Sequence, residues 1–161
     1  MPNQSMTFET FFEDESERLL RVMSVITGSR SEAEDIAQEA FTKVLERWDA
    51  VGAMANPSGY LYRTAMNLFR SEYRRAARAV RRLISASHEL VDVFAPIEDR
   101  DQAAHALAAL TPRQRAALVL TEALGYSGEE TGELLGIKAS TVYALTHQAR
   151  AALADSRETI A

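Results

Sequence analysis

The 161-residue chain contains no cysteine, which excludes disulfides, cysteine-ligated zinc and any thiol switch of its own. Its three histidines, His88, His105 and His147, share no metal-ligand spacing, and no glycine-rich phosphate loop is present. "GYSGE" misses the G-x-S-x-G nucleophile elbow because Glu129 stands where the final glycine is needed. Neither an enzyme nor a cofactor or metal site is therefore expected. No unbroken apolar run exceeds five residues, against the roughly 20 that a membrane-spanning helix requires. The opening "MPNQSMTFETFFEDESE" lacks the basic and apolar regions of a secretion signal. Residues 1–5 read as a disordered leader, with Met6 as an alternative start. A cytoplasmic location without membrane insertion follows as the expectation.

Proline is scarce, at four residues, and runs of β-branched residues are absent, whereas Ala, Leu, Glu and Arg abound. The chain reads as all-α, in two small helical domains joined by a flexible linker: residues 1–83, an acidic linker 84–100, and residues 101–161. A first helix is expected from about Thr10 to Ile26, ended by Gly28. Ser31 and Glu34 have the spacing of a capping box for a second, running from Glu32 to about Trp48. Pro57 suits the first turn of a third, from Ser58 to Arg82. In the linker and at the residue just after it, Glu89, Asp92, Glu98, Asp99 and Asp101 supply acid without a clean period. Four further helices follow, punctuated by Thr111-Pro112, Gly125 and Gly136.

Charge is distributed unevenly. The net charge is -5, yet residues 63–82 hold seven of the 18 basic residues and only one of the 23 acids, Glu72. Elsewhere 11 basic residues face 22 acidic ones. On a helix, Arg63, Asn67, Arg70 and Arg74 share one line, which Arg78 and Arg81 continue, with Arg75 adjoining it. Such a row of guanidiniums repels itself unless an anion lies alongside, and a phosphate backbone suits arginine's planar fork. Asn67 adds a side chain able to read a base edge. A solvated face and a basic membrane-surface helix are the alternatives. The aromatics threaded through the segment are read first as core.

In "SGEETGELLGIKASTVYALTHQARAAL" the layout is that of a helix-turn-helix. Ser127 and Glu130 form a capping box, Gly136 supplies a positive φ, and Ile137 plugs the turn. Val142, Leu145, Ala149 and Leu153 point inward. Lys138, Ser140, Thr141, Tyr143, His147 and Gln148 are left outward, at the end that enters the major groove in such motifs.

Taken together and in order, "AEDIAQEAFTKVLERW", "NPSGYLYRTAMNLFRSEYRR" and the segment from "ALAALTPRQRAAL" to the chain's last helix resemble regions 2 and 4 of extracytoplasmic-function sigma factors. The resemblance covers roughly residues 8–154. It implies partners: bacterial core RNA polymerase, met through its β′ clamp helices and β subunit, promoter DNA, and an anti-sigma factor. Asp35, Gln38 and Glu39 match the positions that dock on the clamp helices. Tyr60, Arg63, Asn67, Arg70, Arg74 and Arg75 fall in the part that captures and melts the minus-ten element, with exposed aromatics as stacking platforms. Lys138, Ser140, Thr141, Tyr143, His147 and Gln148 fall where the minus-thirty-five element is read. The linker would mimic nucleic-acid charge in a basic channel of the polymerase.

The sequence also departs from the family pattern. Tyr60 replaces a usual tryptophan and Ser71 a common aspartate. Tyr143, Leu145 and Gln148 replace basic residues in the last helix, leaving Lys138, Arg150 and His147, while Thr131 and Gly132 are expected to loosen the helix before it. Fewer cations release fewer counterions. The C-terminal domain is expected to bind DNA weakly, or to read an unusual element. The competing expectation is a sigma-derived regulator that no longer directs promoter-specific transcription.

Overall fold

The structure, a computed structural model, describes residues 6–79 and 98–158, and side chains within 6–75 and 103–158. Most of the acidic linker, and the side chains of Arg78, Arg81, Glu89, Asp92, Glu98, Asp99 and Asp101, lie outside the described residues. Those described are helical apart from turns, with no strand among them. In order, the helices are α1 (Phe8–Thr27), α2 (Arg30–Glu46), α3 (Trp48–Val51), α4 (Pro57–Ala79), α5 (Glu98–Ala108), α6 (Pro112–Leu118), α7 (Gly128–Leu135) and α8 (Ala139–Glu158).

Local chemistry explains most boundaries. The Thr7 side chain accepts from the Thr10 amide at the start of α1, and Gly28 ends that helix at φ 72°. The expected Ser31 capping box is not formed. Ser29 caps α2 instead, accepting from the Glu32 amide at 3.2 Å. Ala33, Ile36, Ala37, Ala40 and Val44 of this helix face inward. Asn56 precedes α4 and its Oδ1 accepts from the Gly59 amide at 2.9 Å. Two capping boxes are complete: Thr111 with Gln114 opens α6, and Ser127 with Glu130 opens α7. After Leu118 the helix widens into one π-turn, Val119–Ala123, which the sequence did not announce.

The N-terminal half packs α1 against α2 and α2 against α4. Leu19, Met23 and Ile26 of α1 meet Ala40 and Val44 of α2 and Leu61, Ala65 and Met66 of α4, all fully buried. Phe8, Phe11, Phe12, Phe41 and Trp48 close one end, with Phe12 and Phe41 centroids 4.8 Å apart. In the C-terminal half, α6 and α7 both lie on α8.

That half is tighter than expected. At Gly132 a Cβ would stand 2.7 Å from the Ile137 carbonyl oxygen, so the glycine admits the turn rather than loosening the helix. Thr131 is fully buried, and its hydroxyl has no hydrogen-bond partner.

The two halves share one continuous core: Ala116, Ala117, Leu120, Leu134, Leu135 and Val142 join the cluster built on α1, α2 and α4. The polar centre of this contact is Arg115 of α6, only 2% exposed. Its Nε donates to the Ile26 carbonyl at 3.1 Å, and its Nη2 to that of Thr27 at 3.5 Å. Nη1 donates to Leu110 at 2.6 Å and to Leu107 at 3.2 Å. Ile26 and Thr27 end α1, which has no basic residue in its own last turn. A cation borrowed from the other half thus satisfies their carbonyls and the negative end of the helix dipole. Burial pulls the guanidinium down to about 10, so it stays charged at neutral pH.

Arg115→Met removes these charge-assisted bonds while keeping length and apolar bulk. It is expected to cost about 3 kcal/mol and to lower Tm by roughly 6 to 12 °C in a thermal melt followed by circular dichroism, with Arg115→Lys falling between. Thr131→Val should act in the opposite sense. Exchanging the unpartnered hydroxyl for a methyl is expected to stabilise by about 1 kcal/mol, read as a higher midpoint in urea.

Candidate nucleic-acid interface

Two surfaces of the N-terminal half and one of the C-terminal half carry the predicted residues. On α2, Asp35, Gln38 and Glu39 are all exposed, opposite the buried line of Ile36, Ala40 and Val44. Helical spacing brings them together as one acidic and amide patch. Glu39 lies 3.8 Å from Lys43, an exposed pair of small energetic weight.

On α4 the polar face bears Arg63, Asn67, Arg74 and Arg75, all exposed. Arg75 pairs with Glu72 at 3.2 Å. Arg70 departs from this picture, being half-buried with its guanidinium against Gly136 of the other half. Gly136 ends α7 at φ 67°, and a Cβ there would overlap that guanidinium. Glycine therefore meets two demands at one position, a left-handed backbone and room for a neighbouring side chain.

The aromatics of α4 do not form the exposed stacking row that the resemblance implied. Tyr62 is 3% exposed and Phe69 5%, so both belong to the core. The Tyr62 phenol is pushed up to about 12, chiefly by burial. Tyr73 is half-buried beneath Arg113, whose guanidinium stands 5.4 Å from the ring centroid. Tyr60 is half-buried near the start of the helix, its hydroxyl 3.5 Å from Arg47. Of the four, Tyr60 is the aromatic on this helix left beside the cationic face without a cation over its ring.

The helix-turn-helix presents the expected face. Lys138, Ser140, Thr141, Tyr143, His147 and Gln148 are all exposed, Tyr143 at 55%. Val142 and Ala149 are buried beneath them, and Leu145 and Leu153 half-buried. The Tyr143 ring lies over Gly128, where a Cβ would collide with it, and its hydroxyl lies 3.5 Å from Glu129. Gln148 accepts from Gln114 at 3.2 Å. Arg150, one of the three cations left to this domain by its sequence, is paired with Glu122. The face retains Lys138 and His147 as its free basic groups among the residues predicted to touch DNA.

Two residues that the sequence reading passed over prove central, Arg113 and Arg115. A signal existed: "PRQR" puts two cations into the first turns of a helix, where the dipole disfavours positive charge. Their partners explain the cost, since both serve the opposite half. Among the described residues no three His, Asp or Glu side chains gather as a metal site would require. Nor is any described helix long and apolar enough to cross a membrane.

Comparisons with known proteins identify the family. The family model for Sigma-70 region 2 matches residues 11–79, and that for Sigma-70, region 4 matches residues 100–153. The ECF RNA polymerase sigma factor SigE of Mycolicibacterium smegmatis is 32% identical, over 87% of this chain and 57% of its own length. The RNA polymerase sigma-E factor of Streptomyces avermitilis is 30% identical over 95% of this chain and 86% of its own length. Among solved structures, the sigma factor RpoE from Bartonella quintana, in complex with the anti-sigma factor NepR, has the same fold. Its TM-score is 0.68 at 21% identity, over 94% of this chain and 96% of that one. The chain belongs to the extracytoplasmic-function family of RNA polymerase sigma factors.

Proposed function

We propose that residues 1–83 bind core RNA polymerase and capture the minus-ten promoter strand, while residues 101–161 read a minus-thirty-five element. The observation that carries this reading is the cationic face of α4, Arg63, Asn67 and Arg74, standing exposed on a chain of net charge -5. Asp35, Gln38 and Glu39 dock on the β′ clamp helices of the polymerase. Arginines on α4 track the phosphates, Asn67 reads a base edge, and Tyr60 stacks on an unpaired base. Tyr62 and Phe69 shape the helix from beneath and touch no base.

The chain performs no bond chemistry in this account and works in the cytoplasm. Single-stranded minus-ten DNA is held more tightly than duplex, so the melted promoter gains population without ATP. Melting is least costly at readily unstacked steps. Arg70 must leave Gly136 before it reaches the strand, so the two halves separate when the promoter is engaged. An anti-sigma partner, as in the solved RpoE complex, would act on the same surfaces.

A second reading has one observation in its favour. With Arg150 paired to Glu122, the recognition face of α8 is poor in cations, which suits a regulator that has lost promoter direction. Affinity for core polymerase separates the two readings.

Run-off transcription with core polymerase from a related bacterium, on the region upstream of the chain's own gene, tests the proposal. The wild type is expected to give discrete transcripts. Asn67→Ala combined with Arg70→Ala should weaken them at least about tenfold while leaving core binding intact. Alanine at Asp35, Gln38 and Glu39 together should instead weaken core binding. Absence of core binding by the wild type would refute the sigma-factor mechanism.

A further inference from the structure

We propose that the cleft between the two halves is a binding site for a small oligophosphate anion, held by Arg70, Arg74 and Arg113. Three arginines line this cleft, two from α4 and one from α6, together with Phe69, Tyr73 and Gly136. Four arginines elsewhere on the surface are answered by carboxylates: Arg21 by Glu17, Arg30 by Glu34, Arg75 by Glu72, Arg150 by Glu122. Among the described residues, none of the three in the cleft has such a partner. They converge although their mutual repulsion is unrelieved by acid, and an anion between them relieves it.

Two of the three are also fixed by groups that leave their donors free. Arg113 lies on the face of Tyr73, an attraction to the ring quadrupole that uses no N–H. Arg70 lies over Gly136 at the carbonyl end of α7, where the helix dipole favours a cation. Guanidiniums held by stacking and by a helix end are already ordered, so an anion that takes their N–H groups forfeits little side-chain entropy. Arg74, exposed at the rim, supplies the third fork.

Size sets the class of ligand. The cleft is small, about 40 Å³ or room for roughly three waters, and suits a phosphate group better than a base or a sugar. Three cations call for more charge than one phosphate carries, so a second or third phosphate lies across the mouth against Arg74. The bound anion ties α4 to α6 and keeps the two halves together. It thereby withholds Arg70 and Arg74 from the promoter strand; this consequence rests on the promoter reading, whereas the binding itself does not.

Isothermal titration of the full chain with sodium tripolyphosphate, against sodium sulfate at matched ionic strength, tests the site without DNA. The expected result is one saturable site for tripolyphosphate and none for sulfate. Arg113→Gln should weaken it at least about tenfold, Arg113→Lys should restore part of the loss, and Arg21→Gln should leave it unchanged. Should Arg113→Gln unfold, Arg74→Gln at the exposed rim must show the same weakening. Equal binding of sulfate would overturn the proposal. So would undiminished affinity in a folded Arg113→Gln, or in Arg74→Gln, and so would an equal loss in Arg21→Gln.

Discussion

One guanidinium closes the ends of two helices and in doing so holds the two halves of this protein together. The last carbonyls of α1 have no intrahelical donors, and α1 carries no basic residue near its end. Left buried and unpaired, such carbonyls would cost more than ordinary packing returns. Arg115 supplies the donors from the opposite half and also reaches Leu107 in the last turn of α5 and Leu110 just past it. Its charge is buried without a carboxylate, which is tolerable because carbonyl oxygens and a helix dipole surround it. Ala116, Ala117 and Leu120 then follow it into the shared core.

From that anchor follows the double use of α4. Its apolar face, Leu61, Ala65 and Met66, belongs to the N-terminal bundle, while Arg70 and Tyr73 meet Gly136 and Arg113 of the C-terminal half. Along the same line as Arg70, Arg63, Asn67 and Arg74 remain exposed. The helix thus divides its surface among core, partner half and solvent. In the proposed function the partner half yields its share to a promoter strand. Contacts based on cation–π stacking and packing over glycine suit such an exchange, since neither leaves a buried carboxylate stranded when the halves part.

What could be read in the sequence was what local chemistry determines. Gly28, Gly136 and the Ser127–Glu130 box act over a few residues, and each stands where the spacing puts it. The outward faces of α2 and α8 follow from helical period alone. Ser29 against Ser31 was a true ambiguity, because each has a glutamate three residues on, Glu32 and Glu34. The structure uses Ser29. The short α3 and the π-turn at Val119–Ala123 carry no local signature that the sequence reading could use. Aromatics such as Tyr62 and Phe69 could be placed on one side of α4 but not assigned to core or strand without knowing what lay across from them. Arg113 and Arg115 act over long sequence separations, and their only local trace was positive charge at the wrong end of a helix.

The account stands on the claim that one face of α4 serves the chain's own C-terminal half in the free protein and the promoter strand in the polymerase complex. Since the chain has no cysteine, spin labels can be placed on exposed sites alone, at Ser71→Cys on α4 and Glu133→Cys on α7. Pulsed electron paramagnetic resonance would then compare the free chain with its complex with core polymerase and promoter DNA. The account predicts a single short distance in the free chain, replaced by a longer one in the complex. A broad spread of distances in the free chain, or the same short distance in both states, would contradict it.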